Sequence, residues 1–103
     1  MLLSTSNDIP GQEYEVLGLV NGNTVQSKNV FKDIGAGLRN IVGGEVGSYT
    51  KMLVEARQQA TDRMVEEAQQ MGADGIIMIR YGSSSIMEGA LEMLAYGTAV
   101  KFK

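Results

Sequence analysis

The 103-residue sequence contains no cysteine and no histidine. The first absence excludes disulfides, thiolate nucleophiles and thiolate metal sites within the chain. The second excludes imidazole as a base or as a metal ligand. Positive charge is sparse: nine Lys and Arg against twelve Asp and Glu give a net charge of −3, and no Lys/Arg run exists. That balance argues against a nucleic-acid partner, which needs a basic face for phosphates. No apolar run approaches the length of a membrane span. The opening "MLLSTSNDIP" lacks the basic n-region of a signal peptide. The expectation is a cytoplasmic protein with no membrane partner.

What is present describes a folded domain. Hydrophobic residues make up 44% and charged residues 20% of the chain, the balance of a globular rather than a disordered sequence. The length fits one domain over 1–103, burying roughly two thirds of its unfolded surface.

Periodicity divides the chain into elements. "MLLSTS" predicts a short strand, closed by the turn residues of "NDIPGQ". "YEVLGLVNG" predicts a strand ending at Asn21-Gly22, with "NTVQS" extending the chain after a turn. From Asn29 the period changes: Val30, Phe31, Ile34, Leu38, Ile41 and Val42 recur at three and four, which is helical. Ser27 or Asn29 could cap this short helix, and Gly43-Gly44 offers its stop. A long helix follows from Gly47 or Ser48 to Met71, with Tyr49, Met52, Leu53, Ala56, Ala60, Met64, Ala68 and Met71 as its apolar stripe. Lys51–Glu55 and Arg63–Glu67 stand at the four-residue spacing of helical ion pairs, and Gly72 suits the C′ position. "IIMIRY" predicts a strand over 76–81, "GSSSIMEG" a polar connection, and "ALEMLAYGTAVKF" a strand over 90–102. The order β-β-α-α-β-β gives an α+β fold: a small, mostly antiparallel β-sheet with one short and one long helix packed on one face. Three strands carry large apolar residues on both faces, among them Leu17 and Leu19 against Val16 and Val20. Two helices cover one face, so self-association is expected.

Local chemistry is thin. Gly35, Gly37, Gly43, Gly44 and Gly47 crowd "GAGLRNIVGGEVGSY". A dinucleotide fingerprint would need Gly at 40, where Asn40 stands, and a place between a strand and a helix. Amides near Gly47 and Ser48 could receive an anion with help from Arg39, but a tightly packed helix–helix corner is the favoured reading. Close acidic pairs are limited to Glu13/Glu15 and Glu66/Glu67, too few for a hard oxygen site. The methionines on the helix stripe and in the strands read as core fillers rather than soft ligands. Ser83-Ser84-Ser85 has no Ser-x-x-Lys partner and reads as a flexible turn. No catalytic residue is assigned, and an enzyme is not expected.

The stretch "NVFKDIGAGLRNIVGGEVGSYTKMLVEAR", followed by "MGADGIIMIRY" and "YGTAVK", resembles the YbjQ-like family, which is functionally uncharacterised and carries a heavy-metal-binding label. The resemblance spans nearly the whole chain. It implies an antiparallel sheet with helices against it, a pentameric ring of identical subunits, and a metal ion as the cofactor, with no metal ligands assigned. Asn29, Asp33, Arg39, Gly43, Gly44 and Tyr49 match the family pattern and become the candidate ligand-binding residues, between subunits. Asn40 replaces a common Asp and Arg80 a common acidic residue, which removes or inverts charges of a shared acidic site. The expected function is a non-enzymatic, ring-forming protein that binds a metal or small ligand. The alternative is a structural or interaction protein whose ring presents a partner-binding surface.

Overall fold

The computed structural model describes residues 1–27 and 47–103, with side chains from Tyr49 onward in the second stretch. The elements are β1 (Leu2–Leu3), β2 (Tyr14–Ser27), α1 (Gly47–Gln70), β3 (Gly75–Met87) and β4 (Ala90–Phe102). They form an α+β structure in which the strands lie in the order β1-β3-β4-β2. The expected short helix over Asn29–Val42 and its Gly43-Gly44 stop lie outside the described residues.

The long helix forms where its stripe places it. Met52, Ala56, Ala60, Met64 and Ala68 recur every fourth residue, and all five are buried. Its end is a glycine cap. Gly72 has φ +78°, its amide donates to the Gln69 carbonyl at 3.0 Å, and the Ala73 amide donates to the Ala68 carbonyl at 3.0 Å. These are the paired bonds of a Schellman motif. Lys51 and Glu55 pair at 4.0 Å as their spacing suggests. Arg63 does not turn to Glu67; it donates to the Asn23 carbonyl at 2.6 Å, tying the helix to β2.

The sheet corrects the expectation of a mostly antiparallel arrangement. β2 pairs with β4 and β3 with β4 in antiparallel fashion, but β1 joins β3 in parallel, Leu2 level with Gly75 and Leu3 with Ile76. The sheet is therefore mixed. A two-residue strand has too little side-chain pattern to signal its direction, which is set here by backbone bonds. The Leu2 amide donates to the Asp74 carbonyl and the Ser4 amide to the Ile76 carbonyl.

Two strands run further than expected. Gly22 does not turn the chain; β2 continues to Ser27. A Cβ at Gly22 would collide with the Ala60 carbonyl oxygen and the Met64 amide nitrogen, so this glycine admits the backbone of α1 rather than a bend. β3 continues through Gly82–Met87, the stretch expected to be a polar connection, and only Glu88-Gly89 separates Met87 from Ala90. Gly89 takes the left-handed φ of +77° that this turn uses.

Two bulges redirect side chains. Met78 has φ +56°, unusual for a residue with a Cβ. Together with Ile79 it stands opposite Gly97 alone. Strict alternation would send Ile76 and Ile79 to opposite faces; the bulge returns Ile79 to the core beside Ile76. A Cβ on Gly97 would sit 2.7 Å from Ile76 Cγ2 and 3.2 Å from Ile79 Cγ1, which explains the glycine there. In β2 the register slips between Val16 and Gly18, so Leu17 packs against the core while Val16 is exposed. The bulge also leaves Met78 exposed, and Met71 at the helix end is exposed too; neither fills the core as its place in the sequence suggested.

Candidate functional site

α1 lies along the sheet mainly over β2 and β4. Its first turns overhang the outer end of the β3–β4 hairpin and enclose a cleft of about 310 Å³, at the lower end of small-molecule pockets. From the helix come Tyr49, Met52 and Leu53. From the hairpin come Ser83–Ser85, Gly89, Ala90 and Leu91. Ser83 and Ser85 pair with Met93 and Leu91, so they share the face that carries α1, while Ser84 pairs with Glu92 on the other face. Met52 and Ala90 are buried in the floor, and Leu53 and Tyr49 are partly exposed at the rim.

The chemistry of this cleft is apolar with hydroxyls. Among the described residues, no carboxylate, lysine or arginine lines it. It can enclose a small neutral body and hydrogen-bond it through serine hydroxyls. Its described lining offers no carboxylate or amine as a general base.

Of the sequence-expected site residues, Tyr49 falls on this cleft. Asn29, Asp33, Arg39, Gly43 and Gly44 lie outside the described residues. Ser83–Ser85 were missed as a site because they read as a loop. The signal was their continuity with "IIMIRY", which places alternate hydroxyls on one face of a strand.

A heavy-metal centre does not fit what is described. The chain has neither thiolate nor imidazole donors, and the described residues contain no group of three or more Asp or Glu able to hold an ion. The buried thioethers Met64 and Met93 lie among apolar neighbours. Charge is used structurally instead. At the far end of α1, Asp74 accepts the Phe102 amide at 2.9 Å and lies 3.5 Å from Lys101 Nζ. The amide first, and Lys101 second, hold its carboxyl below the usual range against an opposing desolvation cost. Above the cleft, Gln59 accepts from Thr24 Oγ1 at 2.9 Å and from Gln26 Nε2 at 2.8 Å. Thr61 Oγ1 and the Tyr81 hydroxyl meet at 2.9 Å. These bonds fix α1 on the sheet and so fix the cleft walls. Among the described residues, no helix is long and apolar enough to cross a membrane.

Comparison with known proteins places the whole chain. A family model described as "Putative heavy-metal-binding" matches residues 1–103. The chain is 55% identical to a UPF0145 protein of Limosilactobacillus fermentum, over 99% of this chain and 91% of that one. It is 52% identical to a UPF0145 protein of Thermosipho africanus, over 100% and 96% of the two chains. Among solved structures, a protein of unknown function from Pediococcus pentosaceus, assigned to the DUF74 family, superposes with a TM-score of 0.67 at 19% identity. That match covers 100% of this chain and 98% of the other and supports the fold alone. None of these names describes an enzymatic activity.

Proposed function

The chain belongs to the YbjQ-like family, and from that premise we propose that it is a non-enzymatic, cytoplasmic homo-oligomer, a ring of five by the family resemblance, that holds a small neutral ligand in the Tyr49–Ser83–Leu91 cleft. The observation that carries the reading is the sheet face opposite α1. Leu19, Val16, Val25, Ile86 and Tyr96 are between 67% and 41% exposed there. Such a patch, on the order of several hundred Å², is at the limit of what monomers leave open. A second copy of the chain is the occupant argued for, because β2, β3 and β4 are 13 or 14 residues long against about 5–6 in ordinary sheets. Among the described residues, one helix covers one side of them.

Light scattering on the wild-type chain and on Leu19→Lys/Tyr96→Asp tests this reading. The expected result is a multiple of 11.1 kDa for the wild type and a smaller species with unchanged circular dichroism for the double variant. A wild-type mass of one chain overturns it. For the ligand, a thermal-shift screen of neutral fragments should find a stabiliser whose effect is lost in Ser83→Trp, because a ligand that binds only the native state raises stability. Stabilisation by Cu(I) or Zn²⁺ that survives Ser83→Trp, with no fragment active, would favour the heavy-metal label instead.

A further inference from the structure

The segment after β1 does more than extend the sheet. The Ile79 amide donates to the Ser4 carbonyl and the Met78 amide to the Ser6 carbonyl. Between those bonds, Arg80 Nη1 donates to the Thr5 carbonyl at 3.0 Å, and the same nitrogen donates to the Ile79 carbonyl at 2.8 Å. Both N–H groups of Nη1 are thereby used. The guanidinium keeps the donors of Nε and Nη2, which lie in the same rigid plane. Among the described residues no acceptor meets these donors, and no carboxylate pairs with Arg80.

Nε and Nη2 form the edge of the fork that grips two oxygens of one oxyanion. The main-chain bonds already hold the fork, so little side-chain freedom is lost when an anion docks. Arg80 is in register with Tyr96 of β4, and Tyr96 with Asn21 of β2, which places this row on the sheet face away from α1. Gly82 is the next residue of β3 on that face. A Cβ there would meet nothing within 4 Å, so that side of Arg80 is open. On β4 the carboxylate of the same face is Glu92, four residues from Tyr96. That is about 13 Å along the strand, too far to occupy the fork.

We propose that Arg80 anchors an oxyanion site on this face, and that the site takes a phosphate group, free or as a monoester. The inference goes beyond the neutral-ligand cleft, which lies on the other face and uses other residues. Phosphate is preferred to carboxylate because the fork takes two oxygens and phosphate has others left for hydroxyl donors. Thr5 and Tyr96, both exposed, carry such hydroxyls. The net charge of −3 opposes anions at long range, so selectivity comes from the contact itself. A guanidinium carried beneath a neighbouring copy needs a counter-charge, and bound phosphate supplies it.

Ligand-observed NMR tests the site: phosphorus signals of inorganic phosphate and methyl phosphate, and the proton signal of acetate, each titrated with the wild-type chain at constant ionic strength. The expected result is saturable phosphate binding. It should weaken about tenfold or more in Arg80→Gln and also in Arg80→Lys, which keeps the charge but loses the fork. Lys101→Gln, a change away from the site, should leave it unaltered. Binding of methyl phosphate as well assigns a monoester, and binding of inorganic phosphate alone assigns the free ion. No saturable phosphate binding by the wild type overturns the site. Full binding by Arg80→Lys overturns the fork, and an equal loss in Lys101→Gln reduces it to an adventitious ion only. Acetate bound as tightly as phosphate overturns the phosphate assignment.

Discussion

On the face of the sheet that carries α1, Val20, Gly22 and Thr24 of β2 lie beneath the helix, with Val20 fully buried and Thr24 nearly so. On the opposite face, Leu19 and Val25 of the same strand stand largely exposed. Similar side chains, one residue apart, have opposite fates. The covered face is closed by size matching: Ala56, Ala60 and Ala68 let α1 approach until its backbone rests on Gly22. The other face has apolar residues but nothing of this chain, among the described residues, packed over them. The difference separates residues that hold the fold from residues that are available to hold copies together.

Substitutions on the covered face should damage the fold, and the sharpest is Gly22→Val. Its side chain would enter the α1 backbone at Ala60 and Met64, which cannot yield as a side-chain tip can. We expect a loss of about 4 kcal/mol or more, read as loss of the cooperative thermal transition or of soluble protein. Met64→Ala removes a fully buried side chain between helix and sheet. It should cost about 3 kcal/mol and lower Tm by about 12–20 °C. By contrast, a single change at exposed Leu19 should shift the stability of one isolated copy by no more than about 0.5 kcal/mol, so its effect on native mass isolates the second face.

The smallest expected effect belongs to Asp74, which supports neither face directly. Its carboxyl is held low in the folded chain, so its contribution is present above the unfolded-state value near pH 4. That contribution is lost as pH falls through the lowered folded-state value. Asp74→Asn should therefore lose a small contribution at pH 7, small because its solvent exposure limits the ion pair with Lys101, and should converge with the wild type below about pH 4, flattening the acid limb of the stability curve. Urea midpoints at several pH values would measure it.

The parts of this structure that were legible in the sequence are those governed by repeating local patterns. The five buried residues of α1 at spacing four, the Gly72 cap and the bounds of β4 follow from periodicity and glycine chemistry. The bulges at Leu17 and Met78 did not, because a bulge is one extra residue whose only trace is a broken alternation. Gly22 resembled a turn because a glycine needed for close approach and one needed for a bend are the same letter. The serine run read as a loop because polarity on both sides of a strand removes the apolar alternation by which strands are recognised. The cleft was legible only at Tyr49; its serines became candidates once β3 was seen to extend to Met87.

Native mass spectrometry of the wild-type chain, sprayed from a near-neutral volatile buffer, tests the central claim most directly, that the exposed sheet face is a surface between copies. A single closed species at an integer multiple, above one, of 11.1 kDa is the predicted result. A spectrum dominated by one chain at micromolar concentration would contradict it.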